Sequence, residues 1–380
     1  MGFLRLILAA SVLISHASPI FGLTFTGSRV SVQTFFILSG FYMSLVLTRK
    51  YTGPGRVGLF LTNRFMRIFP AYWIILLLAA GWSVFSHFHY GPVYFRQQAF
   101  FPYADNQAAM NPLAVLSLLV ANLTIFGQDI LMFLGLDKVS GLFFLTGDFR
   151  ETQPQVWSFL FVPQSWTLAL ELMFYVLAPF LVRRRLWVVL GLLFASLSLR
   201  LFLYYGLSLS HDPWDRRFFP TELAFFLMGV VAFRIYEFLD RNNPPRAVTL
   251  AVSLAFLAWT LGFQALGLGP VARWAYYAAA VPAAPFLFLL TAKSRADRWI
   301  GELSYPLYIC HILVLWMLIP VLSRHGALAR AGLATLAVSL AVSAGLVFLV
   351  ILPLDRLRQR RVEAVAPVVS AVPAVDGAAA

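Results

Sequence analysis

Apolar stretches long enough to cross about 30 Å of hydrocarbon as helices recur through the sequence. They fall near 4–21, 30–48, 68–86, 165–182, 186–205, 220–239, 247–267, 271–291, 302–321 and 330–353. The pattern predicts a bundle of helices threaded back and forth through a bilayer. One further run, 113–127, is bounded by Pro112 and Gly127 and reaches only about 22 Å as a helix. It fits either a weak span or an interfacial or re-entrant segment.

Loop charge separates these two readings. If 113–127 does not span, Arg49, Lys50, Arg56, Arg64 and Arg67 share a side with Arg183, Arg184 and Arg185. Arg241, Arg246, Lys293, Arg295, Arg298 and the later Arg356, Arg358, Arg360 and Arg361 join them. The opposite loops keep the sparser set Arg29, Arg96, Lys138, Arg150, Arg216, Arg217, Arg273, Arg324 and Arg330. Lys and Arg collect on the cytoplasmic side of membrane proteins. The fold class expected is therefore an all-α integral membrane protein of about ten transmembrane helices with both termini cytoplasmic. One transmembrane domain, 1–355, is followed by a basic and then disordered tail, 356–380. The connection 87–163, with Tyr90, Tyr94, Phe95, Phe143 and Phe144, is expected to cover the bundle as a lid rather than to form a separate domain.

Composition agrees: 60% of the 380 residues are hydrophobic, 16% aromatic and only 12% charged, outside the range of soluble domains. The net charge of +13 would suggest nucleic acid in a soluble protein, but its placement follows the insertion rule, so no nucleic-acid partner is expected. A single cysteine, Cys310, excludes an internal disulfide framework and a cysteine-rich metal site. Glycine-rich phosphate loops, zinc-ligand spacings and serine-hydrolase elbows are not found, and no metal is expected. The first segment also has the outline of a leader peptide, with Arg5, an apolar run and small residues from Ser15 to Ser18. It is read as a mature helix.

The polar residues inside the apolar runs carry the candidate chemistry. Arg5 and His16 lie eleven residues apart, which returns to nearly the same helical azimuth after about 16 Å of rise. A guanidinium thus sits at the membrane edge and an imidazole deeper on the same stripe. Ser39, Gly40 and Ser44 in the second run either permit close helix packing or, at Gly40, let a substrate approach the backbone. Arg64 and Arg67, one turn apart in "NRFMRIFPAYW", serve either as cytoplasmic anchors or as a phosphate clamp. Glu171 in "QSWTLALELMFYVLAP" would cost on the order of 3 kcal/mol in hydrocarbon and so needs a partner or a task. Its depth matches that of His16, which predicts a dyad in which the carboxylate orients the imidazole; a structural polar contact is the alternative. His311, in "ELSYPLYICHILVLW" with Tyr305 and Tyr308, reads better as a buried hydrogen-bonded histidine than as a second catalytic one. Cys310 reads as inert. Glu222 is expected to pair with Arg216 or Arg217.

Five blocks in order, the Arg5–His16 spacing, "FFILSGF" at 35–41, "NRFMRIFPAYW", "QSWTLALELMFY" and "LSYPLYICH", resemble the acyltransferase 3 family of integral membrane O-acyltransferases. Where that family often has Gly-Val-Asp before its second helix, this chain has Val32, Gln33 and Thr34. The resemblance implies transfer of an acyl group, commonly acetyl, from cytoplasmic acyl-CoA (acetyl-CoA) to a hydroxyl of a glycan or related small-molecule acceptor at the bacterial inner membrane. His16 would act as general base oriented by Glu171, while Arg5, Arg64, Arg67 and Tyr305 would hold coenzyme A. Ser39, Gly40, Trp166, Tyr175 and His311 would contact substrate. Some family members carry a fused extracytoplasmic domain. None is read here, so the chain would act alone, hand over to a separate partner, or modify a lipid-linked acceptor. The competing reading is a proton-coupled transporter or acyl-group exporter using His16 and Glu171 as a relay; the lack of internal repeats weighs against it.

Overall fold

The structure is a computed structural model and describes residues 1–53, 55–90, 99–267 and 269–364. Tyr94, Phe95, Arg96 and the expected disordered end of the tail, 365–380, lie outside the described residues. Each of the ten long apolar runs coincides for most of its length with helix. In chain order these are α1 (Gly2–His16), α2 (Gly27–Arg49) and α3 (Arg56–Tyr90), then two short helices, α4 (Phe100–Asn106) and α5 (Pro112–Thr124). The series continues with α6 (Trp166–Leu181), α7 (Leu186–Leu201), α8 (Phe219–Asn242), α9 (Arg246–Gly262) and α10 (Gly269–Thr291). It ends with α11 (Arg295–Arg324), α12 (Ala331–Leu346) and α13 (Leu352–Glu363). Seven described helical segments are long and apolar enough to cross a membrane, while α1, α5 and α9 are shorter apolar helices. The chain is a multi-pass helical membrane protein.

Helix α1 is shorter than its apolar run. The run continues to Phe21, but Pro19 pushes Ser18 away from helical geometry, and the helix stops at His16 with Ala17 at φ −99°. His16 is therefore the last residue of a helix about 22 Å long, and not a side chain in the middle of a span. A loop from 17 to 26 returns the chain to α2.

Small residues set the tightest contacts. Gly40 of α2 meets the Phe226 carbonyl of α8, Gly229 of α8 meets the Ile37 carbonyl, and neither site has room for a Cβ. The same seam is filled by Phe36 stacked on Phe226 with ring centroids 4.6 Å apart. Gly2 of α1 and Gly301 of α11 make a second close crossing. Prolines lie inside α3, α6, α10 and α11 at Pro70, Pro179, Pro282, Pro285, Pro306 and Pro320. Packed neighbours in a membrane bundle tolerate such breaks.

The connection from α3 to α6 holds α4, α5 and a two-stranded hairpin, β1 (Leu134–Leu136) and β2 (Phe143–Leu145), paired antiparallel. It has its own apolar cluster, including Met110, Leu118, Leu131, Phe149 and Phe159. Asn122 ties α5 down by donating to the Phe159 carbonyl and accepting from the Phe161 amide. At about 20 Å, α5 is too short to cross the hydrocarbon. Met132, Phe149, Arg150, Gln155 and Trp157 from this connection line a cavity in the bundle, so it covers the bundle as expected.

Candidate functional site

Two cavities of nearly equal size open at the two ends of α1. The first, of about 670 Å³, is lined by Arg5, Ser39, Tyr42, Arg64, Arg67, Glu171, Tyr175, Glu302 and Tyr305 among others. The second, of about 680 Å³, contains His16, Arg29, Gln33, Arg150, Trp157, Gln164, Trp166, Asp212, Arg216, Arg217 and Trp316. Val32 of α2 and Tyr308 of α11 belong to both linings. They form a shared wall. One helical stripe thus presents Arg5 to one cavity and His16 to the other, because eleven residues return to the same azimuth.

In the Arg5 cavity, Glu171 accepts from Ser39 Oγ at 2.8 Å and from Tyr175 OH at 2.5 Å. No hydrogen bond or ion pair joins Glu171 to His16, so the dyad predicted from matched depth does not form. Depth along a helix is readable from sequence. The direction Glu171 faces is set by how α6 packs beside α2, and that direction is Ser39. Arg67 donates to both oxygens of Glu302 at 3.1 Å, which makes it part of an ion pair and a poor match for the clamp predicted with Arg64. Arg64 pairs with no carboxylate among the described residues; its guanidinium lies 5.6 Å from the Phe60 ring and 5.9 Å from Tyr175, with Nε buried and unpartnered. Arg5 likewise faces an aromatic ring, Tyr42, at 5.8 Å. Tyr305 donates to the Ile68 carbonyl at 2.6 Å. Gly40 lines neither cavity. Its closeness to Phe226 identifies it as a packing residue, and the predicted contact with substrate is not supported.

In the His16 cavity, the imidazole is exposed and lies 5.4 Å from the His311 ring. His311 is buried behind it, outside both linings. Its Nδ1 is 2.6 Å from the Tyr308 carbonyl, and a carbonyl only accepts, so Nδ1 carries the proton and Nε2 holds a lone pair. That Nε2 is buried and unpartnered. Tyr308 OH accepts from Thr167 Oγ1 at 2.8 Å and donates to the Gln164 carbonyl at 3.1 Å, which fixes the shared wall. Trp166 lies under Arg217 at 4.2 Å.

The sequence reading missed the loop between α7 and α8. There Asp212 accepts from Arg217 Nε at 2.6 Å and Nη2 at 3.0 Å and from Arg150 Nη2 at 3.2 Å. Burial pushes the Asp212 carboxyl up, but Arg217, Arg216 and Arg150 outweigh it and hold it below the usual carboxylate range. The signal was the run "HDPWDRRFF" from His211 to Phe219, of which only Arg216 and Arg217 were used, as loop charge and as expected partners of Glu222. Glu222 pairs with Arg200, takes Gln33 Nε2 at 3.1 Å and is fully buried. Its predicted partners Arg216 and Arg217 are instead taken by Asp215 and Asp212. Cys310 is buried against the Leu307 and Ser339 carbonyls.

This chain is similar to several known proteins and matches one family model. Two Staphylococcus aureus proteins, from strains COL and N315, provisionally named O-acetyltransferases, are each 25% identical over 347 residues. Each match covers 82% of this chain and 50% of the relative, so the chain spans about half the length of these relatives. "Protein 2 in picA locus" of Rhizobium radiobacter is 34% identical over 82 residues, 21% of this chain and 43% of that one. No solved structure matches. The family model described as "Acyltransferase domain" matches residues 1–354, nearly the whole described bundle, and the chain belongs to this family, acyltransferase 3.

Proposed function

We propose that the protein is a membrane O-acyltransferase that receives acyl-CoA, in particular acetyl-CoA, in the Arg5 cavity and a hydroxyl-bearing glycan or related acceptor in the His16 cavity. The observation that carries this reading is the pair of cavities meeting at Val32 and Tyr308. Transfer between a donor and an acceptor on opposite faces of a membrane needs two entrances and one point of contact. Arg5 and Arg64, free of carboxylate partners among the described residues, suit the phosphates of coenzyme A, and the concentration of Arg and Lys on that side favours a cytoplasmic donor. The names of the Staphylococcus aureus relatives support O-acetylation. A bacterial cytoplasmic membrane and an exported glycan complete the proposal.

In the proposed step, the acceptor oxygen attacks the thioester carbonyl while His16 takes the hydroxyl proton. The carbon–sulfur bond breaks, the acyl group becomes an ester, and coenzyme A leaves as a thiolate that recovers the proton from the imidazolium. His311 positions His16 from behind. Glu171 holds Ser39 and Tyr175 on the donor wall. A transporter relay through Glu171 and His16 is less well supported, because the two groups line different cavities without a hydrogen bond between them.

The test uses purified protein in nanodiscs, radiolabelled acetyl-CoA and a panel of glycans. His16→Ala is expected to lower label transfer by about 10²–10⁴-fold with acetyl-CoA binding retained. Full transfer in His16→Ala would overturn the mechanism. No consumption of acetyl-CoA with any acceptor would favour the transporter.

A further inference from the structure

The His16 cavity has an unusual charge pattern for a site that binds a neutral sugar. Its lining presents four guanidiniums, Arg29, Arg150, Arg216 and Arg217, and one carboxylate, Asp212. Behind the lining, Asp215 contacts Arg29 and meets Arg216 Nε at 3.1 Å, and Asp148 lies 3.6 Å from Arg150. Four cations are thus shared among three carboxylates, two of them outside the lining. Asp129 is buried within electrostatic reach of Arg217, and burial pushes its carboxyl up to about 6.

The carboxylates do not use all the donors. Arg217 spends Nε and Nη2 on Asp212 and stacks on Trp166, while its Nη1 is buried without a partner. Arg216 hydrogen-bonds through Nε, to Asp215 Oδ1 at 3.1 Å, and neither of its terminal nitrogens makes a hydrogen bond among the described residues. A rigidly held guanidinium with free donors matches the planar oxygens of a carboxylate or phosphate better than it matches a hydroxyl. Trp157 and Trp316 supply flat apolar faces in the same lining, of the kind on which a sugar ring can rest.

Resting on the acyltransferase reading, we propose that the acceptor is anionic: a hydroxyl compound with a carboxylate or phosphate group held by Arg216 and Arg217 while the hydroxyl faces His16. The anion belongs either to an acidic sugar or to the phosphate of a lipid-linked sugar. Both carry the recognised chemistry.

Binding is measured by thermal shift and titration calorimetry on the nanodisc protein, with glucose, glucuronic acid, glucose 1-phosphate and a prenyl-diphosphate-linked glucose as probes. Label transfer from acetyl-CoA is measured in parallel. Wild-type protein is expected to bind at least one anionic probe at least tenfold more tightly than glucose. Arg216→Gln is expected to reduce that preference to within twofold, and Arg216→Lys to restore part of it. Arg217→Gln is the stronger variant, but it also strips Asp212 of its closest partner, so Arg216 carries the test if Arg217→Gln fails to fold. Preference for glucuronic acid identifies an acidic sugar, and preference for the phosphate probes identifies a phosphorylated or lipid-linked one. Equal binding of neutral and anionic probes by wild type, or full preference in Arg216→Gln, would overturn the proposal. Absent transfer with intact anion preference would instead overturn the acyltransferase reading, so the two failures are distinct.

Discussion

Individual side chains at this site are defined as much by what they do not touch as by what they do. The type and depth of Glu171 were legible in the sequence, because a carboxylate inside an apolar run needs a reason. Its partners, Ser39 and Tyr175, were not, since they depend on the rotation of α6 against α2. Arg5 and His16 were more legible because both lie on one helix, where spacing alone fixes relative azimuth. Asp129 offers a test outside the membrane spans. It sits buried in the connection between α5 and β1, with Oδ1 unpartnered, and burial pushes its carboxyl from 3.8 up to about 6. Between those values the folded protein binds more protons than the unfolded chain, so stability falls as pH rises through that window. A shift of this size corresponds to at most about 3 kcal/mol at neutral pH. Asp129→Asn is therefore expected to melt at a higher temperature than wild type at pH 7.5, with the gap narrowing from pH 6 to pH 4. A constant gap, or a less stable variant at pH 7.5, would contradict this.

Among the helices, α3 shows how one-turn spacing can mislead. Arg64 and Arg67 share a face, which is what the clamp prediction rested on, but Glu302 of α11 claims Arg67 and not Arg64. Spacing along one helix carries no information about a carboxylate on another. The two arginines should therefore separate in experiment. Arg64→Gln is expected to weaken acetyl-CoA binding about tenfold, or 1.4 kcal/mol, at unchanged melting temperature. Arg67→Gln is expected to destabilise the protein by about 2 kcal/mol, because it leaves Glu302 without its partner. Calorimetric titration and thermal melts of both variants check this, and equal behaviour of the two would restore the clamp. The early stop of α1 was legible at Pro19 and was masked by apolar residues as far as Phe21. The spans themselves were the most readable feature, since hydrocarbon thickness fixes their length.

For the whole molecule, the sequence spoke clearly about a helical membrane bundle and only faintly about two cavities. The His16 cavity draws its walls from α1, α2, α11, the long connection and the α7–α8 loop. With Trp166 of α6 added, no local pattern encodes a space bounded by six separated segments. The central claim is that donor and acceptor enter these cavities from opposite faces and meet at Val32 and Tyr308. Its most direct test introduces one thiol into each cavity in separate variants, Ala292→Cys on the Arg5 side and Ser28→Cys on the His16 side. Sealed vesicles of known orientation are then treated with a membrane-impermeant maleimide, with and without acetyl-CoA. The Ala292→Cys variant should label only from the cytoplasmic face and be protected by acetyl-CoA, and the Ser28→Cys variant should label only from the opposite face without protection. Labelling of both variants from one face, or acetyl-CoA protection of Ser28→Cys in place of Ala292→Cys, would contradict the account.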